Sequence, residues 1–109
     1  MSHARSNLTK NLVMYRAKPG SEAKLLELCK QHAPALRASG LLGQEPVRLY
    51  RANDLRRHGE PEPYLIETFE WKTPDAGEVA HQTPEIMAVW EPMTEHLADL
   101  TIIMLEPIS

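Results

Sequence analysis

Two histidines are the side chains of this sequence best suited to move a proton. His32 lies on the apolar face of a predicted helix, and His81 ends a short helical segment just before Thr83-Pro84. An imidazole with an ordinary pKa of about 6.5 can accept a proton at neutral pH. We predict both as candidate general bases. The alternatives stay open: His32 as a hydrogen-bonded core group, and His81 as a cap of its helix carbonyls.

Three aromatic residues are candidates for binding a planar substrate. Trp90 lies on an apolar helical stripe, Trp71 closes a predicted strand, and Tyr15 lies in the first predicted strand. Large aromatic side chains pack in cores and interfaces by default. The same rings can stack on an aromatic ligand, so we predict Trp90, Tyr15 and Trp71 as substrate-binding residues, with core or interface packing as the alternative.

Glu67 interrupts an apolar strand face, where Leu65 and Phe69 flank it at a spacing of two. A carboxyl drawn into a dry environment suits acid–base work, because burial disfavours its charged form. The alternative is an ion pair with Arg16 or Arg48 on neighbouring strands. We therefore predict Glu67 as a residue of the substrate-binding site, with the ion pair as the structural alternative.

The remaining candidates are predicted to be structural. His96 lies in a charged segment and is expected at the surface, while His3 and His58 fall in a tail and a loop. Cys29, the only cysteine, is expected to be a small buried hydrophobe rather than a nucleophile.

Neither a metal nor a cofactor is predicted. No two histidines lie three or four residues apart, and there is no cysteine pair. A glycine-rich phosphate loop is also missing. A metal site assembled from distant elements remains the open alternative.

The length and charge of the chain limit the classes of function. Its 109 residues fit one domain, expected over 1–109 with a core at about 11–106. Twelve basic against 15 acidic residues argue against a nucleic-acid partner. No apolar run is long enough for a membrane span or a signal peptide, and one cysteine excludes an internal disulfide. The expected location is the cytoplasm.

Proline and glycine separate the elements that must position these residues. Strands are predicted at 12–17, 47–52, 64–71 and 101–105, and a mobile loop at 53–63. A first helix begins at Ser21 and ends at Gly40, with a kink or break near residues 32–33 caused by Pro34.

Two later helices are predicted to begin at similar caps. Thr73-Pro74 and Thr83-Pro84 each place a hydroxyl before a proline at the first helical position. The second of these helices is expected to bend or break at Pro92, and its apolar stripe is predicted at the following positions: Ile86, Trp90, Met93, Leu97 and Leu100.

The order β-α-β-β-α-β predicts an α+β ferredoxin-like sandwich, a four-stranded antiparallel sheet with helices on one face. Both faces of the strands carry large apolar groups, as with Met14 beside Tyr15. A sheet with one wet face would alternate more cleanly. We therefore expect a second copy of the chain to cover the other face, making a homodimer.

The order and spacing of these segments resemble the antibiotic-biosynthesis-monooxygenase-like (ABM) domains of the dimeric α+β barrel superfamily. The resemblance implies a homodimeric barrel with a cavity between sheet and helices. It also implies a possible cofactor-independent oxygenase acting on an aromatic or quinol-type compound. The segments that carry it are Lys18-Pro19-Gly20, Gly40-Leu41, Phe69-Glu70-Trp71, Ala80-His81, Thr83-Pro84-Glu85 and Trp90-Glu91-Pro92-Met93.

Haem-degrading relatives differ from this chain at two positions. The resemblance places their strand-one asparagine near Val13 and their haem-ligand histidine near Trp90. Haem degradation is therefore not expected. A cofactor-free monooxygenase leads, with a non-catalytic binding or accessory module and an isomerase as alternatives. An open cavity of roughly 300 Å³ or more would favour an enzyme or a ligand binder over an accessory module with a filled core.

Overall fold

The computed structural model describes residues 9–55 and 64–108. The strands form one antiparallel sheet in the order β2-β3-β1-β4, with the helices packed on one face. This confirms the predicted α+β ferredoxin-like sandwich. The elements, in chain order, are β1 (Lys10–Ala17), α1 (Glu22–Ala38), β2 (Arg48–Ala52), β3 (Tyr64–Glu70), α2 (Ala76–Ala80), α3 (Pro84–His96) and β4 (Leu97–Met104).

Strand β1 lies inside the sheet and contributes the floor of the space beneath the helices. Its alternating side chains Asn11, Val13 and Tyr15 are buried on the helix side. Leu12 and Met14 point to the opposite face and are half-buried. Tyr15 therefore belongs to the helix side of the sheet, and Met14 to the opposite face.

Helix α1 runs through Pro34 without interruption, so of the kink or break predicted near residues 32–33 the break is wrong. Its apolar face is buried on both sides of the proline, from Leu25 to Leu36. We infer that this burial outweighs the one backbone hydrogen bond that proline removes. Gly40 follows the C-cap Ser39 with a φ of 75°, which confirms the predicted glycine at the helix end.

Of the two predicted helix starts, the one at Thr83-Pro84 is confirmed and the one at Thr73-Pro74 is wrong. Thr83 is the N-cap of α3 and Pro84 its first residue, as expected. Helix α2 instead begins after Asp75, while the Thr73 hydroxyl donates to the Asp75 carboxylate at 2.6 Å. That local hydrogen bond forms a turn ahead of the helix rather than a cap on it.

Helix α3 passes through Pro92 unbroken and ends at His96, so the predicted stripe was too long. Leu97 and Leu100 lie in β4, where they pair with Ala17 and Tyr15 of β1. Strand pairing with β1 prevails over the helical spacing of these leucines. Strand β4 thus begins at Leu97 and not at Thr101.

The sheet face away from the helices is apolar along its centre. Met14 pairs with Ile66 there, and Tyr50 pairs with Ile66 from the other side. Tyr50 and Ile103 keep 49% and 40% of their surface exposed. Nothing in ranges 9–55 and 64–108 covers this face. The predicted mobile loop at 53–63 lies for its larger part, 56–63, outside the described residues.

Candidate functional site

The centre of the site is a buried hydrogen-bonded group beneath helix α1. His32 is 2% exposed and Glu67 0% exposed, and the His32 Nδ1 to Glu67 Oε1 distance is 2.8 Å. The Tyr15 hydroxyl donates to the same carboxylate oxygen at 2.7 Å. Helix α1 supplies the imidazole, while the neighbouring strands β3 and β1 supply the carboxylate and the phenol.

The proton positions on His32 follow from its second partner. The Trp90 indole Nε1–H donates to His32 Nε2 at 2.7 Å. An indole nitrogen is a donor only, so His32 Nε2 must present its lone pair. His32 is therefore neutral, with its proton on Nδ1 and donated to Glu67.

Glu67 is an acceptor with an unusual environment. Its Oε1 accepts two hydrogen bonds, whereas the buried Oε2 has no hydrogen-bond partner among the described residues. Arg16 and Arg48 occupy sheet positions that point to the opposite face, so the expected ion pair with either arginine is wrong. Tyr15 and His32 are the partners instead.

Tyr15 is held in its neutral form. Burial first, and then the charge and hydrogen bond of Glu67, raise the pKa of the Tyr15 phenol far above its ordinary value. A phenol that keeps its proton remains a hydrogen-bond donor to the carboxylate at neutral pH.

A cavity of about 480 Å³ opens beside this group, between the sheet and helix α3. Its wall is mostly apolar, and it ends at β4, where Leu100 and Ile102 remain 44% and 65% exposed. It exceeds the roughly 300 Å³ of a small-molecule site. Its lining residues include Asn11, Val13, Tyr15, His32, Phe69, Trp71, His81, Met87, Trp90, Met93, Leu97, Leu100 and Ile102.

His81 lies at the exposed side of the cavity and also ends helix α2. Its Nδ1 lies 2.8 Å from the Gly77 carbonyl oxygen, and a carbonyl can only accept, so Nδ1 carries the proton. The imidazole and the Trp90 indole are 4.9 Å apart between ring centres. The two sequence interpretations of His81 are therefore compatible: one ring caps the helix and lines the cavity.

The two tryptophans take different places in the wall. Trp90 is half-buried between two imidazoles, with its ring centre 5.6 Å from that of His32. Trp71 packs edge-on against Phe69 at 4.9 Å. Both line the cavity, so a packing role and a ligand-facing role coincide at these positions.

The other histidines lie away from the cavity or outside the described residues. His96 is half-buried rather than fully at the surface, because its Nδ1 lies 3.0 Å from the Ser21 hydroxyl. That contact takes the Ser21 side chain, which makes no cap hydrogen bond to helix α1. His3 and His58 lie in 1–8 and 56–63, outside the described residues.

Sequence reasoning missed Asn11 and Met93 as cavity-lining residues. The period of two counted back from Tyr15 places Asn11 on the helix side of β1 and was available in the sequence. Met93 was recognised on the apolar stripe of α3 and assigned no site role. Its exposure to a cavity depends on where β4 leaves the helices, which local patterns do not determine.

Cys29 is expected to resist thiol reagents. Burial first, and then the charge of Glu67, raise the pKa of the Cys29 thiol from 9.0 to about 12. Since the thiolate is the reactive species, Ellman's reagent at pH 8 should react with the folded protein far more slowly than with the unfolded chain. The folded protein holds the thiol proton more tightly than the unfolded chain does. The contribution of Cys29 to the free energy of unfolding is therefore fully present below pH 9 and is lost as the pH rises towards 12. Prompt reaction of the folded protein would contradict this assignment.

The described residues contain neither a metal-binding cluster nor a membrane-spanning helix. No group of three or more His, Cys, Asp or Glu side chains in 9–55 and 64–108 is arranged to hold a metal ion. Among the helices described, none is long and apolar enough to cross a membrane.

Comparison with known proteins identifies the fold. No family model matches, and no curated protein matches. Among solved structures, Rv0793 from Mycobacterium tuberculosis is similar with a TM-score of 0.72 and 15% identity, covering 93% of this chain and 95% of that one. An antibiotic biosynthesis monooxygenase gives 0.70 and 16%, covering 94% and 100%. SnoaB from Streptomyces nogalater, described as a cofactor-independent oxygenase, gives 0.69 and 10%, covering 94% and 95%. The chain therefore has the ABM fold.

Proposed function

We propose that this protein binds a small aromatic or quinol-type compound in the cavity and that His32 removes a proton from it, starting a cofactor-independent oxygenation. The observation that carries the proposal is the buried His32, hydrogen-bonded to Glu67, in the wall of an apolar cavity of about 480 Å³. A base held beside a water-poor space is what such a reaction needs from a protein.

The Glu67 carboxylate determines which ring nitrogen of His32 can act as the base. Glu67 holds the proton on Nδ1, which leaves the lone pair of Nε2 as the accepting atom. After proton transfer the imidazole becomes a cation, and the adjacent anionic carboxylate stabilises it. Tyr15 fixes the same carboxylate oxygen through a second hydrogen bond.

The proposed reaction balances with molecular oxygen as the co-reactant. A proton leaves an acidic carbon of the substrate for His32 Nε2, and the electron pair left on carbon reduces oxygen to form a carbon–oxygen bond. The imidazolium returns the proton to the peroxide, whose O–O bond then breaks as a second proton leaves the same carbon. A methylene and one oxygen molecule thus become a carbonyl and one water. The fold shared with SnoaB supports this chemistry over others.

His81 is the second candidate base proposed from the sequence. It lies at the exposed side of the cavity with its Nε2 lone pair unused by the Gly77 hydrogen bond. No carboxylate partner of His81 is seen among the described residues, and water reaches the ring. These differences favour His32 as the base and leave His81, with Trp90 and Trp71, as walls for the substrate.

Oxygen uptake tests the proposal and separates it from its alternatives. Dithranol, an anthrone with an acidic methylene, is a suitable probe substrate. We expect oxygen consumption above the spontaneous rate and formation of the matching quinone. Conversion without oxygen uptake would indicate an isomerase, and binding without conversion would indicate a non-catalytic module.

We also propose that the protein is a homodimer joined through the outer sheet face. Met14, Ile66, Tyr50 and Ile103 form an apolar surface there that a monomer would leave in water. A second copy of the same face is the simplest cover, since the described chain leaves it open. A stable interface of this kind buries more than about 1,200 Å² in total.

Light scattering of purified protein should therefore give twice the chain mass of 12.4 kDa at micromolar concentration. The substitution Met14→Glu places a charge at the centre of the outer face and should shift the mass towards the monomer. Leu55→Glu is the matched control, because Leu55 is 94% exposed in a loop beyond β2. A monomeric parent protein, or a dimeric Met14→Glu variant, would contradict the interface.

A further inference from the structure

The atom that must accept the substrate proton already accepts a hydrogen bond within the protein. His32 Nε2 accepts a hydrogen bond of 2.7 Å from the Trp90 indole. The other ring nitrogen donates to Glu67. In this arrangement His32 has no lone pair left for a substrate, although its ring lines the cavity.

Trp90 is better placed to move than the groups behind it. The indole is half-buried, on α3, and its other ring contact is with the exposed imidazole of His81. His32, Glu67 and Tyr15, by contrast, are buried and bonded to one another. Among the hydrogen bonds that join Tyr15, Glu67, His32 and Trp90, the one between Trp90 and His32 is therefore the one on the cavity side.

We propose that the Trp90 indole is a displaceable cover on His32 Nε2, and that only a ligand able to donate a hydrogen bond to that same nitrogen removes it. This inference rests on the proposed function, since it names what exposes the base of that site. An acidic X–H group of the ligand, either a hydroxyl or the acidic C–H that the proposed reaction deprotonates, takes the place of the indole N–H on that nitrogen. A ligand of the same shape without a donor leaves a buried acceptor unpaired.

The cover makes Trp90 a positioning residue that selects ligands. Exchange of one donor for another keeps the count of hydrogen bonds on His32 constant. Displacement by an ether or a hydrocarbon loses one, and the unmet acceptor weakens binding by about tenfold or more. The pocket should thus discriminate between donors and non-donors even though its lining is mostly apolar.

The probes are β-naphthol and its methyl ether, which share the same ring system and differ in the hydroxyl proton. Protein labelled with ¹⁵N-tryptophan gives an indole N–H signal for each of Trp71 and Trp90, and the Trp90→Phe variant assigns them. We expect β-naphthol to speed solvent exchange of the Trp90 N–H and to leave that of Trp71 nearly unchanged. The methyl ether should leave the Trp90 N–H protected.

A second measurement separates a cover from a merely structural tryptophan. Trp90→Phe keeps an aromatic ring but removes the competing donor, so β-naphthol should bind severalfold more tightly than to the parent protein. Its methyl ether should bind about equally to both. If Trp90 only fills space, its replacement should weaken the binding of both probes to the same extent.

Three results would overturn the inference. One is a Trp90 N–H that stays protected while cavity residues such as Met93 show that β-naphthol is bound; the pocket would then stand and the cover would not. Another is equal loss of affinity for both probes in Trp90→Phe. The third is no binding of either probe, which would contradict the proposed function together with the cover.

Discussion

Replacing His32 by Gln is expected to slow dithranol oxygenation by roughly 10²- to 10⁴-fold, the usual contribution of a positioned base. Glutamine keeps a hydrogen-bonding group of similar length between Glu67 and Trp90 but cannot accept the substrate proton at neutral pH. The loss should appear mainly in kcat, because the apolar walls that bind the ring are unchanged. Oxygen-electrode rates at saturating dithranol measure it.

His96→Gln is the matched control for that substitution. His96 is a half-buried histidine that also makes a hydrogen bond, but its partner is Ser21 and it does not line the cavity. Its replacement should leave the rate within about twofold. Equal rates for parent and His32→Gln would contradict the assignment of the base, and His81→Ala would then be the variant to examine. With His32 as the base, His81→Ala should lose less activity than His32→Gln.

Glu67→Gln is expected to lower the rate by at least about tenfold while leaving the fold nearly as stable. The amide oxygen can still accept from Tyr15 and His32, but it carries no charge to stabilise the imidazolium or to enforce the Nδ1–H tautomer. Removing a buried anion that lacks a cation offsets the lost charge-assisted hydrogen bonds, so the free energy of unfolding should change by only about 1–2 kcal/mol.

Denaturant unfolding beside the kinetic assay separates the two effects. Glu70→Gln is the control, since Glu70 lies on the same strand and points to the other sheet face. It should leave the rate unchanged. Full activity in Glu67→Gln would show that the buried pair is structural, and unfolding of that variant would show that the carboxylate mainly holds the core.

Most of the fold could be predicted from the sequence, because the apolar periodicity of a helix or strand is set by residues only a few positions apart. The spacing of Leu25, Leu28 and Leu36 predicted the buried side of α1, and the resemblance to ABM domains agreed with the fold observed. Errors fell where two local signals compete. Helical spacing extended α3 over Leu97 and Leu100, whereas pairing with β1 makes them strand residues.

The candidate site was only partly readable. Period two placed Glu67 on the apolar face beside Phe69, and helical spacing placed His32 on the buried side of α1. Their contact joins residues 35 positions apart, and Tyr15 lies 52 positions from Glu67. Such pairings follow from the packing of α1 on β3 and β1, which no local sequence pattern contains. The sequence therefore suggested an arginine on a neighbouring strand as the partner of Glu67.

Proton transfer in the absence of oxygen tests the central claim most directly. Without oxygen, the proposed reaction stops at the substrate anion, whose absorbance differs from that of neutral dithranol. At a pH where free dithranol is neutral, the parent protein should generate the bound anion in proportion to its sites, and His32→Gln should not. No anion with the parent protein, or as much with His32→Gln, would contradict the account of His32 as the base of this cavity.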